Sequence, residues 1–165
     1  MVTAIKGNDT STFGGNIDVT GNVVTDAPAF SAWQSVTQTG IPNSTWTKVT
    51  FTTERFDTNN NYDSSRFTPT VAGYYQINAR LTSATTNTSY ILIVGMFVNG
   101  NNYLQGIAIA GNPNYYPTSS VSGLVYLNGT TDYVEIYSFG IQSGTYSLFA
   151  ASVNTTFDGH LVRAV

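Results

Sequence analysis

The sequence predicts an all-β sandwich, and three observations carry the prediction. The stretch RFTPTVAGYYQINARL, Arg66 to Leu81, places Tyr75, Ile77, Ala79 and Leu81 on one side of an extended chain and Gln76, Asn78 and Arg80 on the other, the period of a strand with one buried face. Polar positions hold Asn, Thr, Ser and Gly rather than Lys and Glu, and Val, Ile, Tyr and Phe fill much of the rest, so turn and strand formers dominate. Strand-like segments recur about every 8 to 12 residues, as they do in sandwiches and barrels. At 165 residues the chain can bury one core without cross-links, and it has no cysteine with which to make any.

Residues 1 to 27 stand apart from the rest. GGNIDVTGNVV alternates weakly around Ile17 and Val19, is broken by Gly14, Gly15 and Gly21, and is too short to close a core. It reads either as a loose terminal arm or as an attachment segment that orders on a partner. PAFSAWQSV, from Pro28, opens the regular domain. TWTKVTFT (Thr45 to Thr52) is a strand, and Arg66 to Leu81 gives one or two more, with Pro69 near a strand start or edge. YILIVGMFV (Tyr90 to Val98) is apolar on both faces and belongs inside a sheet. It meets Asn99-Gly100, a dipeptide suited to the positive φ angles of a tight hairpin, and YLQGIAIA returns. After the loop GNPNYYP, VSGLVYL meets a second Asn-Gly at Asn128 and Gly129, and YVEIYSFG returns. TYSLFAASV and TFDGHLVRAV close the domain. About nine or ten strands result, enough for two packed sheets.

Charge is scarce. Six Lys and Arg, scattered singly, cannot build the basic face that nucleic acid requires, so nucleic acid is not an expected partner. No run approaches the ~18 apolar residues of a membrane span, and the N-terminal stretch lacks the apolar core of a signal peptide, which predicts a chain made in a cytoplasm with no membrane insertion.

Groups able to carry chemistry are equally few. His160, in the last strand, reads as structural, and GIQSG (Gly140 to Gly144) is only superficially like a nucleophile elbow. Asp57, Asp63, Asp132, Glu135 and Asp158 have no spacing that pairs two of them for sugar cleavage. DTNNNYD offers oxygens at Asp57, Asn59, Asn61 and Asp63 in the pattern that opens a calcium loop. Tyr62, however, sits where that loop needs glycine, and Thr68 where it needs glutamate, so the stretch reads as a solvated turn and no metal is expected. The chain is therefore expected not to be an enzyme and to need no cofactor. What remains is surface. Asn101, Asn102 and Tyr103 beside the first hairpin, and Tyr115 and Tyr116 in a Pro-flanked loop, combine ring area with hydrogen bonding and are the candidate receptor contacts. The alternative is that these tyrosines pack against neighbouring strands or a second subunit.

RFTPTVAGYYQINA resembles the signature of the complement C-one-q globular head, a jelly roll shared with the tumour-necrosis-factor family. Phe67, Val71, Gly73 and Tyr75 match it in order, preceded by NNNYD, which resembles that family's Asn-x-x-Tyr-Asp loop. PAFSAW (Pro28 to Trp33) is similar to the family's first strand, FVNG to its Asn-Gly hairpin, and TFDGHLV (Thr156 to Val162) to its closing strand. Thr131-Asp132 replaces the usual Gly-Asp, Ala72 stands for a proline, and Ile77 and Ala79 stand where aromatics are usual, which implies thinner packing there. The resemblance implies a jelly roll of about ten antiparallel strands over residues 28 to 165, after a short extended arm over residues 1 to 27. It also implies a homotrimer, and Tyr75, Ile77 and Phe157 are expected near its seam.

GGNIDVTGNVV resembles short motifs common just before the C-terminal domain of bacteriophage tail-fibre proteins. Together the two resemblances imply a virion protein assembled in the host cytoplasm, a tail-fibre or spike tip. Its arm would dock on other virion proteins, and its head would bind a host surface glycan or protein. A capsid decoration protein of the same build and a bacterial lectin-like carbohydrate-binding module are the alternatives.

Overall fold

The structure, a computed structural model, describes residues 27–85, 90–110 and 115–165, so the expected arm lies outside it except for Ala27. The described residues form thirteen strands and no helix. Six precede the signature glycine: β1 (Ala29–Trp33), β2 (Gln38–Ile41), β3 (Thr47–Lys48), β4 (Thr53–Asp57), β5 (Tyr62–Asp63) and β6 (Arg66–Phe67). Seven follow: β7 (Gly73–Thr82), β8 (Tyr90–Val98), β9 (Asn101–Ala110), β10 (Thr118–Leu127), β11 (Val134–Ile141), β12 (Tyr146–Leu148) and β13 (Thr156–Ala164). One sheet has the order β10-β7-β13-β1-β4 and the other β5-β6-β11-β8-β9, with β3 also on β11 and β12 paired with β2. Every pairing is antiparallel.

The alternation of β7 is realised as expected: Tyr75, Ile77, Ala79 and Leu81 are buried, and Tyr74, Gln76, Asn78 and Arg80 face outward. Opposite them lie Leu92, Val94 and Met96 of β8 and Val134 and Ile136 of β11, all fully buried. At the centre is a knot of rings. Phe30 stacks on Phe67 (4.3 Å) and Tyr62 (5.2 Å) and meets Phe157 edge-on (4.7 Å), while Phe67 meets Tyr75 at 5.5 Å. These five residues come from four of the five stretches that carry the family resemblance, Phe67 and Tyr75 sharing one; FVNG contributes no ring to the knot. Most of the resemblance is thus a record of one aromatic core, whose rings each contribute burial and ring contacts. Packing at Ile77 is tight rather than thin: a Cβ on Gly159 would lie 2.6 Å from Ile77 Cδ1 and 2.9 Å from Phe30 Cε1.

One flank of the sandwich is closed by direct contact between the sheets. A Cβ on Gly106 of β9 would run into the Ser120 carbonyl of β10, one on Gly123 of β10 would run into Leu104, and the Tyr103 hydroxyl donates to the Leu124 carbonyl (2.9 Å). The glycines let β9 lie against β10 without a ladder between them, which protects a flank that would otherwise expose unpaired backbone.

Three sequence expectations change. Asn99 and Gly100 both take positive φ (52° and 78°), as a tight hairpin requires. The second Asn-Gly, though, joins β10 of one sheet to β11 of the other, so it serves a crossover and not a hairpin. There the Asn128 Oδ1 accepts the amides of Thr130, Thr131 and Asp132 at 2.9, 2.9 and 3.0 Å. Of TYSLFAASV only β12 is a strand, since the Phe149 amide turns to the Thr82 carbonyl and a turn follows. Of TWTKVTFT only Thr47 and Lys48 are ladder-paired, because Val49 and Phe51 turn into the core and Thr50 is tied to Gln38 Oε1.

Candidate functional site

Strand β11 alternates like β7, and its register puts one carboxylate on the outer face of the six-stranded sheet. Val134 and Ile136 face the core; Glu135 points the other way, and its side chain is only 4% exposed. Strands β6 and β3 pair one after the other along β11, and each supplies a cation. Lys48 Nζ and Arg66 Nε both donate to Glu135 Oε1, at 2.7 and 2.8 Å, and the Tyr137 hydroxyl donates to Oε2 at 3.1 Å. The Arg66 guanidinium also lies 3.9 Å above the Tyr133 ring. Burial by itself raises the Glu135 carboxyl, but the bonds and charges of Lys48 and Arg66 together outweigh it and hold the group below the usual carboxylate range. The same hydrogen bond pushes Arg66 up, and burial, followed by the Glu135 charge, pushes Tyr137 up.

Beside this ion cluster opens a recess of about 520 Å³. Lys48 and Arg66 form one side, Asn60, Asn61, Asp63 and Ser64 another, and Thr68 and Thr70 complete it. A second recess of about 450 Å³ shares Asp63 and Ser64 and adds Phe51, Tyr62 and Glu54. The wall between them is the β5–β6 turn, in which Ser64 and Ser65 hold φ of 51° and 62° without a glycine, and Asn60 holds 54°. Residues so placed cost of order 1–3 kcal/mol each, and surrounding structure must hold them there. That support is visible. The Asp57 carboxylate accepts the Tyr62 amide (2.7 Å), Asn61 bonds the Asn59 carbonyl and the Thr70 amide, and Ser65 Oγ accepts the Phe51 amide (2.8 Å).

This geometry bears directly on the calcium pattern. Asp57 and Asn61 spend their oxygens on their own loop, and Asn59 Oδ1 accepts the Thr58 hydroxyl (2.6 Å). Asp63 alone of the four turns an oxygen-bearing side chain with no bound partner toward the recess. No group of three or more His, Cys, Asp or Glu side chains gathers into a metal site among the described residues. Other carboxylates are similarly engaged: Asp132 accepts from Asn99 and the Asn128 amide, and Asp158 accepts from Asn78. His160 lies exposed on the outer face of the other sheet.

The candidate receptor contacts do not form one surface. Asn101, Asn102 and Tyr103 are exposed at the start of β9, whereas Tyr115 and Tyr116 follow its end. The stretch of β9 beyond Tyr103 spans about 23 Å at ~3.3 Å per residue. Tyr116 packs edge-on against Phe149 (4.7 Å), leaving Tyr115 as the more exposed ring. Tyr75, Ile77 and Phe157 are wholly enclosed within the single chain, so their side chains have no surface left for a second copy. What the same sheet offers outward is Tyr74, Tyr126 and Leu124 at one edge, with Phe56 toward the other, and between them a mesh in which Gln76 bonds Ser122, Ser122 bonds Asn78 and Asn78 bonds Asp158. The recess itself went unpredicted. Its sequence signals were Glu135, a single charge inside the apolar strand YVEIY, and the oxygen-rich DTNNNYD, of which Asn61 and Asp63 line the recess.

No family model matches the sequence, and no curated protein does. Solved structures do. Murine APRIL, at pH 8.5, superposes with a TM-score of 0.59 at 10% identity, over 82% of this chain and 99% of that one. Eiger TNF from S. frugiperda gives 0.56 at 8% identity, over 84% and 94%. At such identities the likeness is one of fold, and the fold is an all-β, tumour-necrosis-factor-like jelly roll.

Proposed function

We propose that this chain is a non-enzymatic, trimeric receptor-binding head of a bacteriophage particle, a tail-fibre or spike tip that engages a glycan on the host surface. The observation that carries the proposal is a division between the two outer faces. The five-stranded sheet exposes apolar side chains near opposite edges, Tyr74, Leu124 and Tyr126 on β7 and β10 and Phe56 on β4. Unlike patches on opposite edges suit head-to-tail contact between copies, which closes into a ring when the rotation allows. The polar recess belongs to the six-stranded sheet, so assembly through the other face leaves it open. The family resemblance and the jelly-roll neighbours support the trimer, and the tail-fibre-like stretch within residues 1 to 27 supports attachment to a particle through the arm.

Two measurements test this. Size exclusion with light scattering is expected to return three times the 17.8 kDa chain mass, and Tyr74→Glu with Tyr126→Glu is expected to return the single-chain mass. A stable monomer of the unaltered chain would remove the trimer. Particles assembled without the chain are expected to lose adsorption to host cells while keeping their resistance to heat. The opposite result would make it a capsid decoration protein instead.

A further inference from the structure

We propose that the recess bounded by Arg66, Asn60, Asp63 and Ser64 is the subsite for an uncharged hexose unit of that glycan. The inference rests on the glycan-binding reading above and adds to it a location and a ligand class. Four properties of the recess lead to it.

First, all eight of its lining side chains are polar or charged, with no aliphatic or aromatic member. A peptide or a drug-like ligand is anchored by an aliphatic or aromatic side chain of its site, and none lines this recess. At about 520 Å³ it has room for a sugar ring or two. Second, its charges cancel, since Lys48 and Arg66 face Glu135 and Asp63. A phosphate, sulfate or sugar carboxylate would gain from two cations, but one equivalent of their charge is already spent on Glu135, and Asp63 would repel it. Third, the unspent groups are of both kinds and lie on adjoining walls. Arg66 binds Glu135 through Nε, which leaves its terminal nitrogens as donors. The Asp63 carboxylate makes no hydrogen bond or ion pair among the described residues, and its cross-strand neighbour in the β5–β6 ladder is Arg66 itself. A carboxylate accepts from two neighbouring hydroxyls while a guanidinium donates to their oxygens, the complement that a diol of a hexose ring presents. Fourth, the groups are held in place. The backbone at Asn60, Ser64 and Ser65 sits in left-handed conformations, and Lys48 and Arg66 are fixed by a buried carboxylate, so little ordering remains to be lost when a ligand binds. The adjoining recess, with Phe51 and Tyr62 on its walls, lies where a second sugar would continue.

The test is the full-length chain on an array of oligosaccharides ending in neutral hexoses or in sialic or uronic acids, with Asp63→Ala measured beside it. Asp63 has no partner whose loss would unfold the chain, and a thermal melt of the variant checks this. Expected is binding to a subset of neutral-hexose termini, weakened at least about tenfold by Asp63→Ala, as loss of charge-assisted hydrogen bonds implies. Neutral-glycan binding that survives Asp63→Ala would overturn the subsite and leave the glycan reading standing. Binding confined to acidic termini would overturn the ligand class. An unaltered chain that binds no glycan on the array would remove both the subsite and the glycan reading.

Discussion

Glu135→Gln removes a charge shared by two cations while keeping the shape of the side chain. Truncating one member of a fully buried ion pair costs about 3–5 kcal/mol, because the charge left behind is stranded away from water. Here the stranded partners reach solvent: the Lys48 and Arg66 side chains are 32% and 45% exposed against 4% for Glu135. The loss is then set by the charged hydrogen bonds themselves, about 1.5–3 kcal/mol. For a chain of this length each kcal/mol shifts Tm by roughly 2–4 °C, so a fall of about 3–12 °C is expected at pH 7 in a calorimetric or circular-dichroism melt. The pH dependence is the sharper test. The Glu135 carboxyl titrates lower in the fold than in the unfolded chain, where its value is about 4.3. Between those two values the unfolded state holds the extra proton. The stabilisation from this group is therefore complete above the window and is lost as pH falls through the folded value. The gap between parent and variant should be widest at neutral pH and should close on acidification below about pH 4. A gap that stays constant down to about pH 3, or a variant as stable as the parent at pH 7, would refute the account of the ion cluster.

Three further changes probe the fold that carries it. Gly95 lets Trp46 approach β8 closely, since a Cβ there would come within 2.7 Å of both the Trp46 and Phe97 rings, so Gly95→Val should lift Trp46, shift its fluorescence to the red and cost about 1–3 kcal/mol. Gly106→Ala sets a methyl against the backbone carbonyl of Ser120, which cannot rotate away. It should part β9 from β10 and expose apolar surface to a dye such as ANS, and an unchanged melt with no dye binding would show that the flank is not closed there. Asn128→Ala strips the acceptor from three loop amides at a cost of about 1–3 kcal/mol, and hydrogen exchange at Thr130, Thr131 and Asp132 should accelerate while exchange within β7 stays slow.

The core was readable because its signals are local. The period of two over Tyr75 to Leu81 states which face is buried, and an Asn-Gly between two apolar runs states a tight turn, as Asn99 and Gly100 confirm. The second Asn-Gly misleads because the dipeptide specifies a backbone conformation and says nothing about which sheet the next strand joins. Tyr75, Ile77 and Phe157 were expected near a seam, yet alternation already places them in the interior, and the outward set is Tyr74, Gln76, Asn78 and Arg80. The recess was not readable. Lys48 and Arg66 stand 87 and 69 residues from the carboxylate that holds them, and only the pairing of β3 and β6 along β11 brings the three together. Glu135 amid apolar neighbours was a sign that a buried charge needs partners, without naming them.

The two Asn-Gly turns also bear on how the protein ages. Such a dipeptide is chemically fragile, since the glycine amide can attack the asparagine side-chain carbonyl and expel ammonia through a cyclic imide. Here both carboxamides are gripped at each end. Asn99 donates to Asp132 and accepts from the Tyr133 amide, and Asn128 donates to Thr131 while accepting from three amides. Neither side chain is free to swing onto the following nitrogen. Conversion of Asn99 would, moreover, set a new carboxylate against that of Asp132. The folded chain thus shelters both of its Asn-Gly bonds, and its chemical lifetime becomes a property of one hairpin within a sheet and one loop between sheets.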